Sequence, residues 1–396
     1  MKVDPPTAKP KVAIIGTVDV DARIPLMKGL SESFSVCGLG TEGSLSTVFA
    51  GAGFPYYTYE MSRRASGISD MRAFFRLVSL FKRIRPDIAH AFDTKPCVWG
   101  RLAARRAGVP VVIGTITGLG DLYVNPGVRN RVVRCVYEQL QKSASHESDM
   151  TFFYNQDDWN EMTSARIAPV QKSKIIPGSG ISLAAFNPDN HSHSEKETIR
   201  KEFGVQQDDI LITMISRVCR SKGVLELAKA TEAARLVNPK LRVLLVGSID
   251  FNSRDALSSA EIEYVRRSLQ WTGARRDIAI ILAASDASVL PTYREGIPRA
   301  LMEAAAMGLP LIATNVPGCR EVVQDGKNGY LVPARDVDGL VSALLKISAS
   351  EADRKNYGDH SRALSQEHFD VAVISRRYSE VYFNLLLKPR NIRRSW

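Results

Sequence analysis

The sequence holds no run of eighteen consecutive apolar residues, so nothing in it reads as a membrane-spanning helix. Its opening, MKVDPPTAKP, has no apolar segment of the signal-peptide kind, and none is expected. The five cysteines, at 37, 97, 135, 219 and 319, are scattered and form no C-x-x-C, which fits reduced thiols in a cytoplasmic protein. No histidine–cysteine cluster suggests a metal. Asp19-Val20-Asp21 follows the first apolar strand directly, where aspartate more often starts a helix than holds a cation, so no metal and no cofactor are expected. A nicotinamide dinucleotide would call for G-x-G-x-x-G after that strand, but Gly16 stands alone in KVAIIGTVDV. The net charge of +11 comes without helix-turn-helix, zinc-finger or RNP aromatic patterns, which argues against nucleic acid. There is no internal repeat.

What is present is a long chain of ordinary soluble composition. Its 396 residues, 44% hydrophobic and 24% charged, suffice for two domains with separate cores. Strand-like and helix-like stretches alternate from Lys11 to Pro177, as in α/β folds. Residues 186–197 (FNPDNHSHSEKE) are polar and aperiodic and read as a surface linker, with His191 and His193 as loop residues. A second α/β series follows from Ile210, and an apolar-periodic helix occupies the last 25 residues. Charge is concentrated in residues 60–142, which carry fifteen Lys/Arg against six Asp/Glu, and Lys388, Arg390, Arg393 and Arg394 add to it at the end. Within that region Asp70 to Arg85 reads as an amphipathic helix with Arg72, Arg76, Lys82, Arg83 and Arg85. It could lie on an anionic membrane, or pack its apolar side on a sheet and leave a solvated basic face.

Residues 291–308, PTYREGIPRALMEAAAMG, are the most informative. An apolar strand ends in a loop with Glu295 and Gly296, Pro298 sits at a helix start, and Gly308 closes a helix rich in small residues. Such a loop offers backbone N–H groups and a positive dipole end to an anion. Glu295 and Glu303 would repel a phosphate, so they should face hydroxyls of a sugar or ribose. As an ordinary βα unit the stretch would need no ligand. Ser216 to Gly223 (SRVCRSKG) likewise follows a strand and opens a helix, with Arg217 and Lys222 as cations.

Taken in order, Glu295-x7-Glu303, Gly308-x-Pro310, Ala313-Thr314, Pro317-Gly318-x-x-Glu321-Val322-Val323, Asp325-Gly326 and Asn328-Gly329-Tyr330-Leu331-Val332 resemble the retaining family 4 glycosyltransferases of the GT-B fold. Arg217-x4-Lys222-Gly223 resembles that family's basic element. The resemblance implies two facing Rossmann-like domains with a C-terminal helix crossing back to the first. The expected division is residues 1–188, an acceptor-side domain; 189–205, a linker; 206–370, a nucleotide-sugar domain; and 371–396, a crossover helix and basic tail. It also implies roles: Arg217 and Lys222 clamp the diphosphate, Glu295 contacts the transferred sugar, and Glu303 binds the ribose. The N–H groups of Gly296 and Ile297 meet the distal phosphate, and the base lies near Trp271-Thr272-Gly273.

The first half departs from the family pattern. Gly16-Thr17-Val18-Asp19 replaces a Gly-Gly loop, and Thr117 stands where many relatives have a histidine. Thr117-Gly-Leu-Gly, with His90-Ala91-Phe92 and Lys95-Pro96, is similar to a branch that builds capsule and O-antigen glycans. The expected reaction is retaining transfer of a hexosyl unit from a nucleotide sugar, UDP before GDP. The acceptor would be a polyprenyl-diphosphate-linked saccharide at the anionic inner face of the membrane, with the leaving phosphate taking the acceptor proton. A nucleotide-sugar 2-epimerase on the same fold, or a non-catalytic basic adaptor, is the alternative.

Overall fold

The computed structural model describes residues 8–62, 67–123, 127–251 and 255–389. Arg63, Arg64 and the basic tail with Arg390, Arg393 and Arg394 lie outside the described residues. The chain forms two compact units: unit 1 is residues 1–180 with 371–396, and unit 2 is residues 181–370.

Unit 1 runs β1 (Lys11–Ile15), α1 (Ile24–Leu30), β2 (Ser35–Gly40), α2 (Leu45–Gly51), β3 (Tyr56–Thr58), α3 (Gly67–Ile84) and β4 (Ile88–Ala91). It continues with α4 (Pro96–Arg106), β5 (Val111–Ile116), α5 (Val128–Glu147), β6 (Met150–Phe153), α6 (Gln156–Ser164) and β7 (Ser173–Ile175). The strands make one parallel sheet in the order β3-β2-β1-β4-β5-β6-β7, with Ile14 beside His90 and His90 beside Ile113. Such a sheet is covered on both faces, which is why its strands read as unbroken apolar runs. Period-two alternation divides β1 between the layers. Val12 and Ile14 face a core with Leu26, Met27, Tyr378 and Tyr382, while Ala13 and Ile15 face one with Leu77, Phe81 and Ala104.

In unit 2, α7 (His193–Glu202) precedes β8 (Ile210–Ile215), α8 (Val224–Val237), β9 (Leu241–Val246), α9 (Ser259–Ser268), β10 (Gln270–Gly273) and α10 (Ile278–Ala283). Then come β11 (Ala287–Leu290), α11 (Arg299–Ala306), β12 (Leu311–Thr314), β13 (Gly329–Val332), α12 (Val337–Ala349) and α13 (Glu351–His368). Its parallel sheet has the order β10-β9-β8-β11-β12-β13. The final helix, α14 (Val371–Leu387), belongs to unit 1. Ile374, Tyr378 and Tyr382 are fully buried there, each contributing about 1.5–3 kcal/mol by apolar burial.

The expected linker over 189–205 is a misreading. Unit 2 begins at Ile181, and residues 193–202 are helical. Ser192 accepts from the Glu195 N–H while the Glu195 carboxylate accepts from the Ser192 N–H, a capping box. Ile199 and Phe203 then pack against Leu211, Leu244 and Ile281. His193 pairs with Glu197 one turn on, at 3.3 Å.

The basic region is less uniform than its composition suggests. Arg101 is fully buried among Gln141, Ser145, Ser148 and Thr151. Lys95 pairs with Asp70, and Arg134 with Glu138 and Glu161. On α3 the residues Leu77, Leu80, Phe81 and Ile84 are buried, as the packed alternative requires. Yet Ile68, Met71 and Phe75, spaced along one line of the helix, are exposed beside Arg72 and Arg76. No helix among the described residues is long and apolar enough to cross a membrane.

Candidate active site

The sheet of unit 2 reverses its direction of winding between β8 and β11. Loops leaving these neighbours diverge, and open parallel sheets bind ligands in the crevice so formed, beyond the carboxyl ends of the strands. Both predicted basic and acidic elements are on these two loops. Lys222, at the end of the β8–α8 loop, forms an ion pair with Glu295 of the β11–α11 loop. Their side chains are only 17% and 14% exposed, so each charge relies on the other.

Two glycines let the loops approach. Gly223 has φ +72°, and a Cβ there would fall 2.0 Å from the Pro291 carbonyl oxygen. Gly318, at φ +80°, supports the far side: its Cβ would meet the carbonyl oxygens of Glu295 and Gly296 at 2.7 Å. Hydrogen bonds complete the frame. The Tyr293 N–H and Thr292 hydroxyl donate to the Ser221 carbonyl at 2.8 and 3.1 Å, and the Thr314 hydroxyl donates to the Thr292 carbonyl. The Glu295 N–H donates to the Pro317 carbonyl at 3.2 Å. Thus the Pro-Gly element of the motif is scaffolding for the loop that presents Glu295.

The other expected residues are more dispersed. Arg217 is 63% exposed and paired with Asp250, which follows β9. Glu303 lies on α11, buried, with Arg299 Nε at 2.7 Å; burial raises its pKa while Arg299 opposes the rise. Gly296 and Ile297 lie between Glu295 and the start of α11, and Pro298 is the residue that caps that helix rather than its first residue. The Gly273 carbonyl accepts from the Gly247 N–H at 2.8 Å, and Trp271 Nε1 donates to the Gly247 carbonyl at 2.8 Å, so the β9 and β10 loops are tied together. Thr117 belongs to unit 1, half-buried just beyond β5.

Asp250 escaped the sequence reading, as did the Tyr293 network. Tyr293 donates to Glu226 at 2.7 Å and lies 4.4 Å beneath the Arg335 guanidinium; burial and Glu226 push its hydroxyl up to about 12. Nothing in the local sequence links 226, 293 and 335. Among the described residues no three His, Cys, Asp or Glu side chains gather as a metal site would require.

Residues 195–364, which carry this geometry, match the family described as glycosyl transferases group 1, and residues 47–150 match the glycosyl transferase 4-like family. The chain is a glycosyltransferase whose second half is similar to group 1. A relative of this glycosyltransferase in Campylobacter jejuni is 26% identical over 363 residues, covering 91% of this chain and 94% of its own. That relative is an N,N'-diacetylbacillosaminyl-diphospho-undecaprenol alpha-1,3-N-acetylgalactosaminyltransferase. An Escherichia coli relative is 28% identical over 74% of each chain and is a UDP-Gal:alpha-D-GlcNAc-diphosphoundecaprenol alpha-1,3-galactosyltransferase. The Anabaena protein HepE, solved with UDP and glucose, superposes on this glycosyltransferase with a TM-score of 0.77 at 17% identity, over 94% of this chain and 99% of its own. The two parallel-sheet units are those of the GT-B fold.

Proposed function

We propose that this glycosyltransferase moves a hexosyl unit, with retention, from a UDP-sugar to a saccharide carried on a polyprenyl diphosphate at the inner face of the membrane. The observation that carries the proposal is the Lys222–Glu295 pair at the winding reversal of unit 2. A diphosphate entering this crevice offers Lys222 a stronger partner than one carboxylate. Lys222 then turns to the phosphates, joined by Arg217 from the rim and the N–H groups of Gly296 and Ile297. Glu295, released, faces the sugar, while Glu303 accepts from the ribose hydroxyls. The base lies near Gly273.

The bond from the anomeric carbon to the diphosphate oxygen breaks with its electrons going to phosphate. Lys222 and Arg217 stabilise that charge, and the Glu295 carboxylate stabilises the oxocarbenium left behind. The acceptor oxygen attacks on the face the phosphate leaves, and its proton passes to the departing phosphate. Neither a metal nor a protein base takes part in this scheme.

The choice of UDP and of a lipid-linked acceptor draws support from the activities of the C. jejuni and E. coli relatives. The exposed line of Ile68, Met71 and Phe75 beside Arg72 and Arg76 suits an anionic bilayer surface. A thermal-shift screen of UDP-, GDP- and ADP-sugars tests the donor site: stabilisation by UDP-sugars is expected, and silence toward every nucleotide sugar refutes the reading. Proton NMR of the product then reports its anomeric configuration, and inversion would exclude the front-face route. Epimerisation of the donor sugar without any acceptor would favour the epimerase.

A further inference from the structure

Tyr293 stands two residues before Glu295, on the loop that presents it. The backbone bonds of that loop to the Ser221 carbonyl join one loop to another. The Tyr293 side chain makes a different connection. Its hydroxyl donates to Glu226 Oε1 at 2.7 Å, and Glu226 belongs to the first turn of α8. That helix is a firm anchor, since Val224, Leu227 and Ala228 on its inner side are fully buried. Groups held by packed helices are placed more accurately than groups held by loops.

Glu226 commits one oxygen to Tyr293, while Oε2 is buried with no hydrogen-bond partner among the described residues. No ion pair among the described residues neutralises it, and its charge is accommodated at the positive end of α8. Burial and this carboxylate push the tyrosine hydroxyl up to about 12, with Arg335 opposing, so the hydroxyl keeps its proton and donates. The Arg335 guanidinium closes the other side, 4.4 Å from the ring centre. Arg335 reaches that position with φ at +65°, a conformation that costs a non-glycine residue energy.

The Lys222–Glu295 ion pair cannot hold Glu295 throughout a reaction cycle. On the transfer reading above, Lys222 leaves Glu295 when a diphosphate arrives. Glu295 then needs a support for which the donor does not compete, and a neutral phenol bonded to a helix carboxylate is one. We infer that Tyr293 is a positioning residue for Glu295: through Glu226 it fixes the β11–α11 loop to α8, and it keeps Glu295 in place once Lys222 has turned to the diphosphate. The inference rests on the transfer reading and assigns a residue that acts through Glu295.

The test compares wild type with Tyr293→Phe, Glu226→Leu, the double variant and Glu226→Gln, each well below its own melting midpoint. Calorimetry reads UDP affinity. Hydrolysis without acceptor is read at saturating UDP-glucose, UDP-galactose, UDP-GlcNAc or UDP-GalNAc, whichever wild type cleaves fastest. Tyr293→Phe and Glu226→Leu should each lower turnover by about tenfold or more, the scale of a misplaced reacting group. Their UDP affinity should stay within about threefold of wild type, because Lys222 and Arg217 are untouched. The double variant should be no slower than either single, since both break the same bond. Glu226→Gln keeps an acceptor for the hydroxyl and should keep turnover within about threefold of wild type. Full turnover in Tyr293→Phe would overturn the inference, as would equal losses of turnover and UDP affinity. So would losses that multiply in the double variant, or a Glu226→Gln as slow as Glu226→Leu. Wild type that cleaves none of the four donors would overturn the donor reading of unit 2 and the inference with it; active wild type with unmoved variants would overturn the inference alone.

Discussion

Replacing Gly318 by alanine imposes two penalties that a second substitution separates. The first is conformational: alanine at φ +80° costs about 1–2 kcal/mol. The second is steric. The new Cβ would stand 2.7 Å from the carbonyl oxygens of Glu295 and Gly296, which must retreat by roughly 0.7 Å to reach ordinary contact. Gly326, at φ +71°, carries the first penalty without the second, because nothing lies within 4 Å of its Cβ position. Gly326→Ala should therefore melt lower by roughly 2–8 °C for a unit of this size, and Gly318→Ala by more. Only Gly318→Ala should displace the loop that presents Glu295, and a shift of that order lowers turnover by roughly 10- to 100-fold. Melting by scanning fluorimetry, with UDP-sugar hydrolysis measured in the absence of acceptor, reads both effects. If Gly318→Ala hydrolyses donor as fast as Gly326→Ala, then Glu295 does not depend on the Pro317-Gly318 support and the reasoning is wrong.

Lys222→Gln leaves Glu295 as a largely buried carboxylate without its cation, and turnover should fall by about 10²–10³-fold. Adding Glu295→Gln should recover most of the lost melting temperature and none of the activity; a double variant no more stable than Lys222→Gln would show that the pair is not coupled. His90 is fully buried between Tyr382 and Thr115, and burial, with Arg23 and Arg101 adding to it, holds its pKa well below 6.5. The native imidazole stays neutral while the unfolded one takes up a proton, so stability should be complete above about pH 6.5 and fall by up to about 1.4 kcal/mol per pH unit below it. Denaturant titrations of wild type and His90→Asn from pH 7 to 5 check this, and parallel pH slopes would exclude His90 as the source. On α3, neutralising Arg72, Arg76, Lys82 and Arg83 together should weaken sedimentation with phosphatidylglycerol vesicles by roughly a thousandfold, at about 1 kcal/mol for each basic residue near the surface. Unchanged sedimentation would remove this helix from any membrane role.

The fold was legible where each strand carried its own signal. KVAIIG, ILITMI and LRVLLV are unbroken apolar runs because parallel strands between helix layers have no wet face. The Glu295–Glu303 segment was legible because its strand, loop and helix are contiguous. Long-range pairings were not. Lys222 and Glu295 are 73 residues apart in sequence, and only the strand order brings them together. Asp250 and Tyr293 were missed for the same reason, since their partners lie on other elements, Arg217 on the β8–α8 loop and Glu226 on α8. Arg101 misled in the opposite direction, counting toward a basic surface while buried among neutral oxygens. The capping box at Ser192 was a local signal, overlooked because its polar composition resembled a loop.

The return of α14 to unit 1 has a consequence for how the protein is made. Translation of unit 1 starts before that of unit 2 and resumes after it, for the residues that cover Val12, Ile14 and His90 follow residue 370. Unit 2 lies wholly within that interval. Its residues 181–370 take roughly 10–40 s to synthesise at bacterial-to-eukaryotic elongation rates, during which one face of the first sheet has no cover. The second half can thus mature while the first still waits. A premature stop near residue 370 would spare nearly all of unit 2 yet strip the amino-terminal sheet, leaving a product whose fate is set by chaperones and proteases rather than by chemistry.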